Sequence, residues 1–193
     1  MILIGLTGSI GMGKSTTSAI FRTAGIPVYD ADAAVHRLYA GHAVGPVGAL
    51  FPEAIVNQRI DRFILSSLVL GQPEALQNLE AIVHPLVAAD RQHFIEDCRT
   101  AGAQAALLDI PLLFETGGDR TVDIIVVVST TLDEQQKRVL ARKDMTTEKF
   151  MAIRAKQMPD EEKRRRAHFV VDTGRGVEYA RRQVESFLRA IRL

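Results

Sequence analysis

The residues that most narrow the possible folds of this chain lie within its first twenty positions. After a short apolar run, Gly8, Gly13, Lys14 and Ser15 match the pattern G-x-x-x-x-G-K-[ST]. The apolar run is typical of a buried parallel strand, and residues 15–24 are predicted to form a helix that ends at a glycine. A strand, a glycine loop and a helix in this order indicate a phosphate-binding loop (P-loop), which predicts that a nucleoside triphosphate binds here.

Each part of this loop has a chemical reason to contact phosphate. Glycines lack a β-carbon and let successive N–H groups face one anion, while the start of the helix adds the positive end of its dipole. Lys14 is predicted to reach the β- and γ-phosphates, and the Ser15 hydroxyl to bind Mg²⁺. A simple glycine-rich turn is the alternative, and the flanking strand and helix disfavour it. The predicted nucleotide-binding residues of the loop are Gly8, Gly11, Met12, Gly13, Lys14, Ser15 and Thr16.

The rest of the chain predicts an α/β fold around a five-stranded parallel sheet. Helical patterns separate the strands and a last helix runs from Val177 to about Arg192, which implies a doubly wound, three-layer arrangement with right-handed crossovers. A length of 193 residues suits one P-loop domain, residues 1–193. The predicted strands are Ile2–Leu6, Ile26–Tyr29, Ala105–Asp109, Ile124–Val128 and Phe169–Val171.

The interval between the second and third predicted strands contains only helical patterns. We expect it to form a helical insertion over about residues 31–101, above the carboxyl ends of the strands, where a second substrate can bind. The dipeptide His84–Pro85 predicts a bend between two of its helices, because proline interrupts a helix. The predicted helices are Ala31–Tyr39, Arg62–Leu70, Glu74–Ile82 and Leu86–Arg99.

Acidic residues follow the second and third predicted strands. In the sequence DAD, Asp30 is predicted to cap the next helix, whereas Asp32 is placed to accept a proton from an attacking hydroxyl or to hold a water on Mg²⁺. Asp109 ends the third strand, where P-loop proteins place the acid that organises Mg²⁺. Leu112 begins an apolar wall, and Glu115 is either a hydrogen-bond acceptor for a substrate or a surface acid near a helix start.

A basic segment over about residues 138–160 is predicted to be a mobile lid. Arg138 and Arg142 are four residues apart, so we expect them on one face of a helix. A break and a second helix bearing Arg154 and Gln157 follow. Such a lid closes over a triphosphate and supplies positive charge to the transition state.

The bulk composition excludes several classes of protein. A net charge of +1 and an aromatic content of 6% give no reason to expect a nucleic-acid partner. No apolar run is long enough to cross a membrane, no signal segment is evident, and a lone Cys98 suits a reducing compartment, so a soluble cytoplasmic protein is expected. Lys163–Arg166 is predicted to be a solvated charged run, and an isolated His84 gives no zinc site.

Taken together, these motifs resemble those of the dephospho-coenzyme A kinases over essentially the whole chain. The resemblance rests on GLTGSIGMGKST, DAD, IDR, LEAIVHPLV, DIPLLFE, RVLAR and RAKQM, in that order. It implies ATP-dependent phosphorylation of the 3′-hydroxyl of dephospho-coenzyme A, the last step of coenzyme A synthesis, with ATP and dephospho-coenzyme A as partners. The oligomeric state is left open.

The resemblance also implies roles for individual residues. Asp32 would be the general base on the 3′-hydroxyl, Lys14 and the loop amides would hold the phosphates, Ser15 would hold Mg²⁺, and Arg142 would neutralise charge on the transferring group. Arg138 would belong to the nucleotide site. The implied acceptor-binding residues are Asp32, Arg62, His84, Asp109, Leu112 and Glu115.

Two features depart from the family pattern. After the last strand, where the family usually reads AD-hydrophobic-N-x-G, His168 replaces an acid and Thr173 replaces an asparagine, next to the turn that commonly surrounds adenine. The preference for ATP over GTP is therefore open. Ser9 and Met12 stand in the P-loop where glycine and serine are common, at positions that tolerate variation.

Two other functions remain as alternatives. A kinase of another small acceptor, such as a nucleoside monophosphate, would share the P-loop and the lid but gives no reason for the helical insertion. A non-enzymatic nucleotide switch of the GTPase type would need N-K-x-D and D-x-x-G, and neither string occurs. The kinase of dephospho-coenzyme A is the preferred interpretation.

Overall fold

The computed structural model describes residues 1–192 and contains a five-stranded parallel sheet. The strand order is β2-β5-β1-β6-β7, so the strand that precedes the P-loop lies at the centre. The strands are β1 (Ile2–Thr7), β2 (Val28–Asp30), β5 (Ala105–Asp109), β6 (Ile124–Ser129) and β7 (Phe169–Asp172). The predicted α/β fold is confirmed, with β5 predicted to the residue and the ends of the other strands displaced by at most two residues.

The central strands are apolar except at their carboxyl ends, which are Thr7, Asp109 and Ser129, because helices cover both faces of the sheet. Helices α1 (Lys14–Thr23) and α9 (Val177–Ala190) contribute Phe21 and Phe187, whose rings meet at 6.1 Å between centroids. The predicted start of β2 at Ile26 is two residues too early, since Ile26 donates its N–H to the Phe21 carbonyl and closes the end of α1.

The chain divides into two compact units, one formed by Met1–Tyr29 with Cys98–Leu193 and the other by Asp30–Asp97. The second unit has its own apolar core, which includes Val47, Leu65 and Val83. Its elements are α2 (Ala31–Tyr39), α3 (Val44–Leu50), the hairpin β3 (Ile55–Val56) and β4 (Arg59–Ile60), α4 (Arg62–Val69) and most of α5 (Pro73–Thr100).

One prediction for this second unit is wrong. The chain does not bend into two helices at His84–Pro85, because α5 runs through Pro85 without interruption. Leu79 and Val83 before the proline and Leu86 and Val87 after it belong to one core, which favours a continuous helix despite the lost backbone hydrogen bond. The short hairpin and α3 were also not predicted.

The remaining helices lie in the first unit, in the segment between β6 and β7. They are α6 (Leu132–Leu140), α7 (Thr147–Ala155) and α8 (Asp160–Arg166). None of the helices within residues 1–192 is long and apolar enough to cross a membrane.

Candidate active site

The loop between β1 and α1 has the backbone shape that an anion site requires. Gly11 and Gly13 have φ angles of +78° and +90°, a region that favours glycine. Gly13 caps α1 without any side chain, and the helix begins at Lys14 with Ser15 and Thr16 exposed. The positive end of α1 is therefore open to an anion.

Lys14 and Asp109 are brought together at the carboxyl edge of the sheet. The Lys14 Nζ lies 2.5 Å from Asp109 Oδ1, and the two side chains are 17% and 4% exposed. Asp109 ends β5 in register with Leu6 of the central strand. A nearly buried carboxylate thus holds the ammonium group beside the P-loop, where an incoming phosphate competes for it.

A divalent ion fits this edge of the sheet. Among residues 1–192 no group of three His, Cys, Asp or Glu side chains is suited to hold a metal by itself. Mg²⁺ in nucleotide sites needs few protein ligands, since phosphate oxygens and waters supply most of its coordination. The exposed Ser15 hydroxyl and the Asp109 carboxylate are of the oxygen type that it prefers.

Arg138 lies beside the P-loop and is engaged in three contacts. Its Nε donates to Glu134 Oε1 at 2.9 Å, while Nη1 and Nη2 donate to Thr173 Oγ1 and the Thr173 carbonyl at 3.0 and 2.8 Å. The guanidinium is thus fixed at the flank of the P-loop.

Arg142 does not share a helix face with Arg138, so that prediction is wrong. Helix α6 ends at Leu140, with Ala141 as its C-cap, and Arg142 lies beyond it. The side chain of Arg142 is exposed, and within residues 1–192 its guanidinium makes no ion pair. Gln157 likewise lies beyond the end of α7 at Ala155, whereas Arg154 is on that helix as predicted.

The P-loop is contacted from outside by two glutamines, both through Ile10. Gln135 Nε2 donates to the Ile10 carbonyl at 2.7 Å, and the Ile10 N–H donates to Gln157 Oε1 at 3.0 Å. Gln135 is 2% exposed. Since Gln157 belongs to the predicted lid, this segment directly contacts the loop.

Glu115 contacts the end of the same segment. Its Oε1 accepts from the Met158 N–H at 2.8 Å and lies 2.9 Å from Lys163 Nζ. Lys163 is fully buried, so the prediction that it belongs to a solvated run is wrong. The observed partners of Glu115 are protein groups, and its predicted contact with substrate remains a prediction.

The pKa of Glu115 follows from these contacts. Burial raises this pKa, but the hydrogen bonds from Lys163 and Met158 and the Lys163 charge outweigh burial, so the net pKa is lowered. A lowered carboxyl pKa stabilises the fold above its unfolded value of about 4.5, and the contribution is lost as the pH falls through the folded value.

We expect Glu115→Gln to reduce the free energy of unfolding at pH 7 by about 3 kcal/mol, because Lys163 is left buried and unpaired. The variant should also lose less stability than the wild type on acidification below about pH 4.5. Chemical denaturation at several pH values measures both effects. Glu185→Gln on the exposed face of α9 is the control, and equal stability of the two variants would contradict the role of the pair.

A cavity of about 580 Å³ lies in the first unit between the P-loop and the lid segment. Two polar atoms at its wall, Thr130 Oγ1 and Asp160 Oδ1, are buried without a hydrogen-bond partner within residues 1–192. The other carboxylate oxygen of Asp160 accepts from the Ser129 hydroxyl at 2.7 Å. Other lining residues are Ser9, Met12, Met151, Arg154, Gln157 and Met158.

The two acids of the DAD sequence have different environments. Asp30 accepts the Ala33 N–H at 2.9 Å and caps α2, which confirms the prediction for it. Asp32 lies in the first turn of α2 with an exposed side chain, so its carboxylate is accessible to a substrate hydroxyl.

Arg62 of the second unit has a histidine partner that sequence reasoning missed. Its Nη1 lies 2.6 Å from His36 Nε2. Since arginine only donates, His36 is the acceptor and carries its proton on Nδ1. Burial raises the pKa of nearby Tyr39, and the Arg62 charge partly offsets this. His84 is exposed on α5.

Leu112 lies in the turn after β5 and is 41% exposed. Its neighbours Leu113 and Phe114 instead pack into a buried cluster, so only Leu112 of the predicted apolar wall is available to a ligand. Met12 is only 3% exposed, and both polar groups of its backbone have protein partners, since its N–H donates to the Ser9 carbonyl and its carbonyl accepts from the Thr173 hydroxyl. Its predicted contact with a nucleotide remains a prediction.

His168 is not near the nucleotide edge. It stands before β7, and its Nδ1 accepts the N–H of Ile125 at the start of β6. These are the amino ends of the strands, whereas Thr173 follows the carboxyl end of β7. The prediction that His168 lies beside a base pocket is therefore wrong, because strand β7 separates His168 from Thr173.

Comparisons with known proteins agree on one family. A family model of dephospho-CoA kinase matches residues 2–178. The dephospho-CoA kinase of Mesorhizobium japonicum is 56% identical over 192 residues, covering 100% of this chain and 98% of that protein. The crystal structure of TT1252 from Thermus thermophilus has a TM-score of 0.87 at 38% identity and covers 100% of this chain and 98% of that one. A dephospho-CoA kinase from Campylobacter jejuni has a TM-score of 0.74 at 25% identity, with coverage of 98% and 96%.

Proposed function

The chain belongs to the dephospho-CoA kinase family and transfers phosphate from ATP to the 3′-hydroxyl of dephospho-CoA, and we propose that its P-loop, Asp32 and Arg142 carry out this transfer. The observation that carries the proposal is the Lys14 ammonium held beside the open N-terminus of α1 by Asp109. Such a cation next to free backbone N–H groups supports a triphosphate site.

On nucleotide binding, Lys14 exchanges part of its contact with Asp109 for the β- and γ-phosphate oxygens. The N–H groups of the loop and of the first turn of α1 bind the same phosphates and fix their orientation. Phosphoryl transfer involves little covalent chemistry from the protein, so positioning and charge neutralisation supply most of the rate. The proposed nucleotide-binding residues are Gly8, Gly11, Met12, Gly13, Lys14, Ser15, Thr16 and Arg138.

P-loop kinases generally need a divalent metal, and we propose Mg²⁺ held by the Ser15 hydroxyl. When bound with ATP, this ion neutralises charge on the phosphate oxygens. Asp109 is suited to orient both the Lys14 ammonium group and a water molecule bound to the ion. Its buried carboxylate lies at the end of β5, at the carboxyl edge of the sheet.

Asp32 is proposed as the general base on the 3′-hydroxyl of the acceptor. An exposed carboxylate in the first turn of α2 is free to accept the proton as the oxygen attacks the γ-phosphorus in line. The guanidinium of Arg142, exposed beyond α6, neutralises charge on the transferring group when the lid closes.

The acceptor is proposed to bind through a set of polar side chains and one exposed leucine. Arg62, oriented by His36, is suited to an anionic group of the acceptor such as its diphosphate. The full proposed acceptor set is Asp32, Arg62, His84, Asp109, Leu112 and Glu115.

The direct test is ADP and coenzyme A formation by the purified protein with ATP and Mg²⁺. We expect equal amounts of both products with dephospho-CoA and no transfer to AMP or CMP. Transfer to a nucleotide monophosphate would overturn the acceptor, and ADP release without any acceptor would overturn kinase function.

A further inference from the structure

Thr173 departs from the family pattern, and its side chain faces the P-loop. It follows β7 directly, is 7% exposed, and donates its N–H to the Ser129 carbonyl at 2.9 Å, which continues the ladder between β6 and β7. The backbone of Thr173 is thus fixed by the sheet.

The hydrogen bonds of this hydroxyl can be assigned from chemistry. Arg138 Nη1 lies 3.0 Å from Thr173 Oγ1 and can only donate, so the oxygen is the acceptor. The Thr173 hydroxyl can then donate its proton to a carbonyl oxygen. The Met12 carbonyl, at 2.8 Å, is closer than the Ser129 carbonyl, at 3.3 Å. Thr173 therefore joins Arg138 to the P-loop.

The bond to Met12 determines where the next N–H points. A trans peptide is planar, and its C=O and N–H groups point in opposite directions. With the Met12 carbonyl directed at Thr173, the Gly13 N–H of the same peptide is directed away from Thr173. The Gly13 N–H has no hydrogen-bond partner within residues 1–192, so it is available to an anion.

The same geometry occurs two residues earlier. Gln135 Nε2 donates to the Ile10 carbonyl, which shares a peptide with the Gly11 N–H. This N–H also has no partner in the described part of the chain. Two side chains from outside the loop, more than 100 residues away in sequence, thus hold alternate carbonyls of the loop outward.

Packing restricts the loop at the same point. A β-carbon at Gly13 would lie 3.1 Å from Thr173 Cβ, Cγ2 and Oγ1. The Thr173 side chain therefore packs against Gly13 on the side where a β-carbon would lie. Rotation of the Met12–Gly13 peptide would have to displace this side chain.

We propose that Thr173 and Gln135 are positioning residues that direct the Gly13 and Gly11 N–H groups toward the nucleotide phosphates. This inference rests on the proposed nucleotide site of the P-loop. It assigns Thr173 to the phosphate end of the nucleotide, and the base preference then does not depend on its side chain.

The test compares Thr173→Val, which keeps the shape and removes the hydroxyl, with Thr173→Ser, which keeps the hydroxyl. We expect Thr173→Val to raise the KM for ATP and the Kd for inorganic triphosphate about tenfold. This change corresponds to a loss of roughly 1.4 kcal/mol of binding free energy, because the loop N–H groups are no longer held in position. The KM for dephospho-CoA and the ratio of ATP to GTP activity should stay at wild-type values. Thr173→Ser should restore binding to within about twofold of the wild type.

Gln135→Met tests the second peptide, with the Kd for inorganic triphosphate of every variant measured by calorimetric titration. It provides the test of the inference if Thr173→Val does not fold. The inference is overturned if the folded variants bind inorganic triphosphate like the wild type, or if Thr173→Val changes only the ratio of ATP to GTP activity. In either case, turnover of dephospho-CoA by the wild-type protein would still support the proposed function. Failure of that turnover would instead refute the proposed function.

Discussion

Replacement of Lys14 by alanine is expected to lower kcat/KM for ATP by about 10³-fold or more. The ammonium group belongs to the first residue of α1, and no neighbouring residue of the loop carries a positive charge. Its removal weakens ATP binding and also takes away one of the positive charges that offset the charge on the transferring phosphate. ADP release in the presence of dephospho-CoA measures the rate, and calorimetry with ATP measures binding.

The interpretation of this variant needs a control for the fold. Lys14→Ala removes the ammonium group that contacts the nearly buried Asp109 carboxylate. The double variant Lys14→Ala/Asp109→Asn should therefore recover part of any lost stability but none of the activity. Lys137→Ala removes an exposed lysine from α6 and should turn over normally. A folded Lys14→Ala variant with kcat/KM within tenfold of the wild type would refute the role of Lys14.

The sheet could be predicted from sequence because its signal is local. Continuous apolar runs such as Ala105–Asp109 form strands buried on both faces, and that strand was predicted to the residue. The ends of the strands were predicted less accurately, because they depend on helix caps and turns. The start of β2 was displaced because Gly25, with φ of +86°, and Ile26 complete the end of α1.

The helical unit Asp30–Asp97 was harder to predict because tertiary packing overrides local preference there. Helix α3 contains two glycines and a proline in seven residues, a composition that disfavours helix in isolation. The hairpin turn uses Asn57 and Gln58 at φ of 49° and 61°, and glutamine is rare in that conformation. Pro85 falls inside a helix whose apolar residues on both sides share one core.

The residues of the site also divide into those that local sequence predicts and those whose roles depend on tertiary contacts. Lys14, Ser15 and Asp30 lie in short patterns whose geometry follows from sequence, and the cap made by Asp30 is confirmed. Gln135 and Lys163 gained their roles from partners distant in the chain, Ile10 and Glu115. A lysine in the run EEKRRR gives no sequence signal that it is fully buried, because the run alone is typical of a solvated helix.

Asp32→Asn is expected to lower the rate of phosphoryl transfer by about 10²-fold while ATP binding stays unchanged. Asparagine keeps the size of the side chain and its place in the first turn of α2 but has a far weaker affinity for a proton. Loss of a negative charge at this helix end should cost less than about 1 kcal/mol of stability. A single-turnover measurement with saturating ATP and dephospho-CoA isolates the chemical step from product release.

The neighbouring acid provides a matched control. Asp30→Asn changes the same functional group two residues earlier, and asparagine caps a helix about as well as aspartate. If Asp32 is the base, Asp30→Asn keeps the single-turnover rate and Asp32→Asn loses it, although both remove one negative charge from the start of α2. Equal rates in the two variants would mean that the 3′-hydroxyl attacks without a proton acceptor at Asp32, and that positioning of the hydroxyl and charge neutralisation by Lys14 and Arg142 account for the transfer.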